Sequence, residues 1–267
     1  MPLAVCATPI GNLEDITLRV LRELAEADVV LCEDTRRTRT LLERHGVCAR
    51  LVSYHQHNEA QRTAELLPRL RAGERVALVS DAGLPGLSDP GARLISAALE
   101  AGVPITVLPG PSAVETALVA SGLVAERYQF VGYLPRGERA LLALGKQLSR
   151  WTHAAVAFES PQRLGKSLDI LARVIPERRA AVCRELTKRF EEIARGSVAE
   201  LAGRFAEAPK GEVTLVLGEA AVAAGDEGIA GEAVAELVSA GVSRRQAATL
   251  VARLTGVPRN RLYRSSL

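Results

Sequence analysis

The chain has 267 residues, enough for one large domain or two modest ones with a real core. Its 48% hydrophobic and 24% charged content is ordinary for a globular protein and excludes a disordered class, and no apolar run is long enough to span a bilayer. A net charge of +3 conceals an asymmetry: no acid follows Glu236, while Arg244, Arg245, Arg253, Arg259, Arg261 and Arg264 do, against 28 basic and 31 acidic groups in the rest. That basic tail suits an anionic partner, nucleic acid first, or equally a solubilising terminal helix. The four cysteines (Cys6, Cys32, Cys48, Cys183) are far apart and show neither zinc nor disulfide spacing. The start has no signal-peptide pattern, so the expectation is a cytoplasmic protein without a metal site.

In chain order, Leu3–Ala7 reads as a strand ending in the turn Thr8–Asn12. Ile16, Val20, Leu21 and Leu24 then recur at helical spacing. Asp28–Leu31 is the next strand, followed by Cys32-Glu33-Asp34 and a helical stretch through Thr40–Arg44. Arg50–Tyr54 is a third strand, running into His55-Gln56-His57-Asn58-Glu59. Arg75–Ser80 is a fourth and ends in a Gly/Pro-punctuated turn to Asp89, where Gly83, Gly86 and Gly91 are expected to serve backbone shape. Helix Pro90–Glu100 leads to strand Ile105–Leu108 and to Pro109–Ala113, whose Gly110 has the same expected role. Strands alternating with helices imply a parallel sheet with ligands beyond its carboxyl ends, where these three turns lie.

From about Tyr128 the texture changes. Strands are expected at Tyr128–Leu134, Ala154–Phe158, Ala180–Glu185 and Glu212–Leu217, with helices Glu138–Leu148, Gln162–Val174 and Val198–Ala206 between them. The expected architecture is α/β with a parallel-sheet domain (1–112), a second, mixed-sheet domain (113–222) closing a cleft, and a basic helical extension (228–267). In the extension, Gly231–Ala240 reads as a helix, Ser243 and Gln246 have the capping-box form, and Ala247, Leu250, Val251 and Leu254 mark an apolar face stopped by Gly256 and Pro258.

Glu33 or Asp34 lies about twenty residues after Gly11, as a ribose-binding acid does in a dinucleotide fold. However, the first turn lacks G-x-G-x-x-G, Pro9 removes an amide donor, and no Walker sequence exists. The ligand therefore has no phosphates to cradle; an adenosine part joined to an amino-acid part suits the turns better. Asp81 can meet an ammonium or hydroxyl, and the amides near Ser112 a carboxylate.

Thr8-Pro9-Ile10-Gly11-Asn12-Leu13-Glu14-Asp15-Ile16-Thr17, Cys32-Glu33-Asp34-Thr35-Arg36, Ser53–Glu59, Phe158-Glu159-Ser160-Pro161, Cys183–Lys188 and Gly211–Thr214 together resemble one family. It is the tetrapyrrole methylase-like superfamily in its ribosomal RNA branch, the small-subunit rRNA cytidine 2′-O-methyltransferases. The resemblance covers nearly the whole chain in order, with Gln56 and Gln162 departing from an expected acid and histidine. It implies an enzyme using S-adenosylmethionine, usually a homodimer, acting on small-subunit ribosomal RNA or a 30S particle. By this resemblance Ile10, Asp81, Leu84, Ser112, Ala113, Phe158, Glu212 and Val213 hold the methyl donor. Asn12, Glu33, Arg36, His55 and Asn58 form the substrate mouth, with Asp34 and His57 as catalytic candidates.

Each residue has a plainer alternative. His55 and His57 are polar loop groups if they do not meet substrate, Glu33 and Asp34 can pair with Arg36 or Arg37 or cap a helix, and Phe158 is core-like by pattern. His57 is the expected base because imidazole titrates near neutrality, at about 6.5. The extension is expected to dock on the enzyme body and present Arg244, Arg245 and Arg253 to RNA. Two other functions stay open on sequence alone: a relative acting on a small tetrapyrrole or protein side chain, and a non-catalytic RNA-binding or ribosome-assembly factor.

Overall fold

The structure is a computed structural model and describes residues 2–86, 89–220 and 227–265. The first half runs β1 (Leu3–Cys6), α1 (Leu18–Glu26), β2 (Val29–Cys32), α2 (Thr35–Arg44), β3 (Leu51–Ser53), α3 (Glu59–Arg71), β4 (Val76–Val79), α4 (Ala92–Glu100) and β5 (Ile105–Leu108). Its sheet has the order β3-β2-β4-β1-β5, with every pairing parallel, as expected. Alternate residues of each strand face opposite cores. Leu3, Leu31 and Leu78 pack with Leu66, Leu70 and Leu94 of α3 and α4, whereas Ala4, Cys6 and Cys32 pack with Val20, Leu24 and Leu42 of α1 and α2. Burial on both faces explains why these strands read as unbroken apolar runs.

Helix α5 (Ala113–Ser121) leads into the second half: β6 (Tyr128–Tyr133), α6 (Glu138–Arg150), β7 (Ala154–Glu159), α7 (Pro161–Ala172), β8 (Arg179–Arg184), β9 (Glu192–Ser197), α8 (Val198–Arg204) and β10 (Val213–Leu217). The sheet order is β6-β7-β10-β8-β9, parallel only between β6 and β7 and antiparallel elsewhere. One face is covered by α6, α7 and α8. On the other face, Ala117 and Leu118 of α5 pack with Val156, Cys183 and Val216, and Ile10 from the first turn joins them. Ile10 is thus mortar between the two sheets, which belong to one compact unit, residues 1–219.

Two elements depart from the sequence expectation. Helix α3 is hidden in the sequence because its polar start follows a turn, yet Leu66 and Leu70 at i and i+4 bury its inner face. Strand β9, Glu-Ile-Ala-Arg-Gly-Ser, lacks an apolar run because it is an edge strand and hides only Ala194 fully. Helix α8 starts at Ser197 with a complete capping box to Glu200.

Residues 220–267 form a second unit, with α9 (Glu227–Ser239), α10 (Arg244–Thr255) and α11 (Arg259–Ser265). Val234, Ala247, Ala248, Val251, Val257 and Leu262 share its core. Gly256 ends α10 in the left-handed region (φ 73°), as a C-terminal glycine should. Two expectations fail here. Ser243 makes no capping bond to the backbone; its hydroxyl pairs with the Gln246 side-chain oxygen at 2.6 Å. Leu254 is 74% exposed, because the inner face turns through Ala248 rather than Leu254. Among the described residues no helix is long and apolar enough to cross a membrane.

Candidate functional site

The three strand-end turns meet because β4, β1 and β5 are adjacent. Thr8 and Gly83 exchange backbone hydrogen bonds of 2.9 and 3.0 Å. Thr8 Oγ1 donates to the Ser80 carbonyl at 3.0 Å, and Ser80 Oγ donates to the carbonyls of Ala82 and Gly83, both at 3.1 Å. Gly83 holds φ +75°, but Gly110 has ordinary φ and is constrained differently: a Cβ there would come within 2.8 Å of the Ala7 methyl. The close approach of β1 and β5 turns is therefore what requires that glycine. Leu87 and Ser88 of the second turn lie outside the described residues.

A cavity of about 270 Å³ opens where these turns face the second half. Ile10, Arg37, Ser80, Asp81, Lys188 and Glu212 are in its wall. Of the expected donor residues, Ile10, Asp81 and Glu212 thus come together. Asp81 accepts a hydrogen bond from the Asp34 amide (3.0 Å) and pairs with Arg37 (3.3 Å). Ile10 is only 7% exposed and belongs largely to the core, while Glu212 is exposed and bonded to Lys188 at 2.9 Å. Leu84 is half-buried in the β4 turn. The Val213 side chain is buried in the core of the second sheet, leaving its backbone for a ligand.

Ser112 is the N-cap residue of α5, yet its hydroxyl does not cap the helix; it donates to Glu115, which also accepts from the Tyr128 hydroxyl at 2.6 Å. Hydrogen bonds from Ser112 and Tyr128 lower the Glu115 pKa, and Glu115 in turn raises that of Tyr128. Ser112 makes no side-chain cap to α5, so the helix start beside Ala113 is a positive end without a Ser112 cap. Phe158, half-buried near the end of β7, meets Phe130 and Tyr133 edge-on at 4.9 and 5.5 Å between ring centres. This is a stacking-competent cluster rather than a core position alone.

On the expected substrate side, both plainer readings of Asp34 hold at once. It caps α2 through the Arg36 amide (2.8 Å) and pairs bidentately with the Arg36 guanidinium at 3.1 and 2.8 Å. Those bonds hold its carboxyl well below the usual range, so it is a poor proton acceptor. Glu33 is exposed, with a raised pKa from burial of its carboxyl and then from Asp81. His55 and His57 lie in a turn, not on a strand face, with ring centres 5.9 Å apart. Asn58 holds that turn, accepting from the His55 amide (2.8 Å) and donating to the Ser53 carbonyl (3.2 Å). His57 is exposed, and the half-buried His55 has a buried Nδ1 with no hydrogen-bond partner. Asn12 is exposed, and its amide donates to Thr187 Oγ1 at 2.9 Å. Arg244 and Arg245 open α10 in the second unit.

Sequence reasoning missed Lys188, whose ammonium joins Glu185 and Glu212 at 2.9 Å each, and Asp89. Burial, followed by the charges of Glu33 and Asp81, pushes Asp89 up to about 6 from the usual 3.8. A carboxyl whose pKa rises on folding costs stability once ionised: the cost is absent below the unfolded value and full above about pH 6. Asp89→Asn is expected to stabilise the protein at pH 8 by on the order of 1 kcal/mol and not at pH 4, read from urea midpoints at both values. A midpoint gain equal at both pH values would contradict the account of a carboxyl pKa raised by burial and neighbouring charge.

Residues 2–202 match the family model described as Tetrapyrrole (Corrin/Porphyrin) Methylases, and residues 225–267 match the RsmI C-terminal HTH domain. The chain is 43% identical over 265 residues to the ribosomal RNA small subunit methyltransferase I of Micromonospora olivasterospora, covering 98% of this chain and 85% of that one. It is 44% identical over 265 residues to the protein of the same name in Mycobacterium bovis, covering 98% and 93%. The crystal structure of the methyltransferase CobJ superposes with a TM-score of 0.64 at 21% identity over 82% of this chain and 94% of that one, which shows the common fold. With one family pattern over residues 2–202 and relatives matching over almost the entire length, the chain belongs to the tetrapyrrole (corrin/porphyrin) methylase family, in the branch of the ribosomal RNA small subunit methyltransferase I proteins.

Proposed function

We propose that this protein uses S-adenosylmethionine to methylate the 2′-hydroxyl of a cytidine ribose in small-subunit ribosomal RNA, in the cytoplasm and as a homodimer. The observation that carries this reading is the relatives' shared name over 98% of the chain, including the basic C-terminal unit. The cavity suits such a donor chemically, with carboxylates at Asp81 and Glu212 rather than a phosphate cradle, and the reading adds the Phe158 ring and the start of α5 at Ser112–Ala113 to its walls. When bound, the donor supplies an electrophilic methyl carbon on a sulfonium sulfur.

In this reading Asp81 holds the ligand's ammonium or hydroxyl groups, and the α5 amides hold its carboxylate. Leu84, Ile10 and the Val213 backbone shape the walls, and Phe158 packs the adenine. Asn12, Glu33, Arg36, His55 and Asn58 orient the acceptor ribose, with Arg244 and Arg245 binding phosphates. In-line transfer to oxygen depends mainly on alignment, which can supply roughly 7–11 kcal/mol of barrier reduction. Of the two catalytic candidates, the exposed His57 is the better proton acceptor, because Asp34 is committed to Arg36.

The test uses small ribosomal subunits lacking the modification and methyl-labelled donor, followed by mapping of the labelled nucleotide. Label on a cytidine 2′-oxygen of the small-subunit RNA is the expected result; label on a base atom, or none, contradicts the proposal. In the same assay His57→Ala is expected to lower the single-turnover rate roughly 100-fold, within the range for general bases, with RNA affinity nearly unchanged. An unaltered rate removes His57 from the chemistry.

A further inference from the structure

Beside the donor cavity lies a second one of about 540 Å³, lined by Asn12, Glu14, Arg44, Thr187, Lys188 and Arg189. The loop that supplies its far wall, Glu185–Glu191, contains the only two non-glycine residues with positive φ among the described residues: Glu185 at 53° and Thr187 at 63°. For a β-branched residue such as Thr187 that conformation is costly, on the order of 1–3 kcal/mol, and persists only where neighbours hold it. They do. The Thr187 amide donates to the Glu191 carboxylate (2.7 Å), its hydroxyl accepts from the Asn12 amide (2.9 Å), and Lys188 ties Glu185 to Glu212. Gly11 presses on the same loop, since a Cβ there would lie 2.6 Å from the Leu186 carbonyl and Thr187 Oγ1.

This rigid, strained support carries at its tip two side chains that it does not use. Phe190 is 67% exposed, and the Arg189 guanidinium lies 5.5 Å from its ring centre. Arg189 makes no ion pair among the described residues, whereas Lys188 and Arg44 on the same rim are both paired with glutamates. An aromatic ring held out of the core, with a guanidinium over it that makes no ion pair among the described residues, suits an unstacked base and its phosphate, the chemistry by which proteins hold single-stranded nucleic acid.

Resting on the methyltransferase reading above, we propose that Arg189 and Phe190 form an RNA subsite next to the acceptor pocket. Phe190 stacks on an unpaired base flanking the target nucleotide, and Arg189 binds the adjacent phosphate. The loop's bond to Asn12 joins this subsite to the acceptor residues, so that one strand reaches both.

The test measures methyl transfer to unmodified small ribosomal subunits, with S-adenosylmethionine affinity by calorimetry and thermal melting alongside. Phe190→Leu is expected to raise KM for subunits about tenfold or more, the loss of one base–aromatic stack, with kcat and donor affinity within twofold. Phe190→Tyr is expected to restore KM. Arg189→Met is expected to weaken subunit binding and lower the slope of log affinity against log salt by about one. A wild-type KM in Phe190→Leu, or an unchanged salt slope in Arg189→Met, overturns the corresponding half of the subsite while leaving the methyltransferase reading intact. Wild-type protein that transfers no methyl group to subunits overturns that reading and the subsite with it. Because Phe190 is exposed, melting temperatures are expected to be unchanged.

Discussion

Asp81→Ala is expected to abolish measurable S-adenosylmethionine binding in calorimetry, a loss of about 100-fold or more. Asp81 stands at the end of β4, where Ser80 and Thr8 lock the turn. Its carboxylate is one of two in the cavity wall, with Glu212, and hydrogen bonds to charged groups contribute about 1.5–3 kcal/mol each. Asp81 also anchors the Asp34 amide and Arg37, so alanine removes two kinds of support at once. Asp81→Asn separates them: it keeps an acceptor for the Asp34 amide but loses the charge. An asparagine variant with intermediate affinity is the expected result, and wild-type affinity in the alanine variant would sink the donor-site proposal.

The second large effect concerns stability. Arg178 is 7% exposed, and burial lowers the pKa of its guanidinium, yet it pairs with no carboxylate among the described residues. Instead it donates to four carbonyls: Gly218 at 2.9 Å, Leu148 at 2.5 Å, Trp151 at 3.2 Å and His153 at 2.8 Å. These belong to the end of α6, the loop before β7 and the segment after β10, so one side chain closes one end of the second sheet. Arg178→Met keeps the apolar stem but leaves those carbonyls short of donors. Each buried unsatisfied group costs about 1–3 kcal/mol, so a net loss of roughly 3–5 kcal/mol is expected, visible as a melting temperature lower by about 10 °C. A change below about 1 kcal/mol by urea denaturation would show that water replaces the guanidinium without cost.

Much of the site is legible in the sequence. The strand ends, the missing phosphate pattern and the resemblance across Thr8–Thr17 and the later motifs all point to a methyl-donor cleft, because turn residues and buried parallel strands leave local signatures. Other parts have no such signature. Lys188 closes the Cys183–Lys188 motif, but only the fold sets it between Glu185 and Glu212. Asp89 is an ordinary loop acid until Glu33 and Asp81 are brought near it. Residues 243–246 have the capping-box spelling without the capping-box bonds, since Ser243 and Gln246 satisfy each other.

The sequence by itself determined most of the alternation of strands and helices and the positions of the three turns, which are written in short-range periodicity and spacing, while the family followed from the resemblance of its motifs. Tertiary structure alone decided that β1 lies between β4 and β5, so that Thr8, Ser80 and Gly110 converge across gaps of up to about a hundred residues. It also decided that Ile10 and Val213 turn into cores, and that Thr187 is bent into a left-handed conformation to carry Arg189 and Phe190. Which strands become neighbours, and which side chains the second sheet then covers, follows from packing two apolar faces at once, and no local pattern of residues encodes that choice.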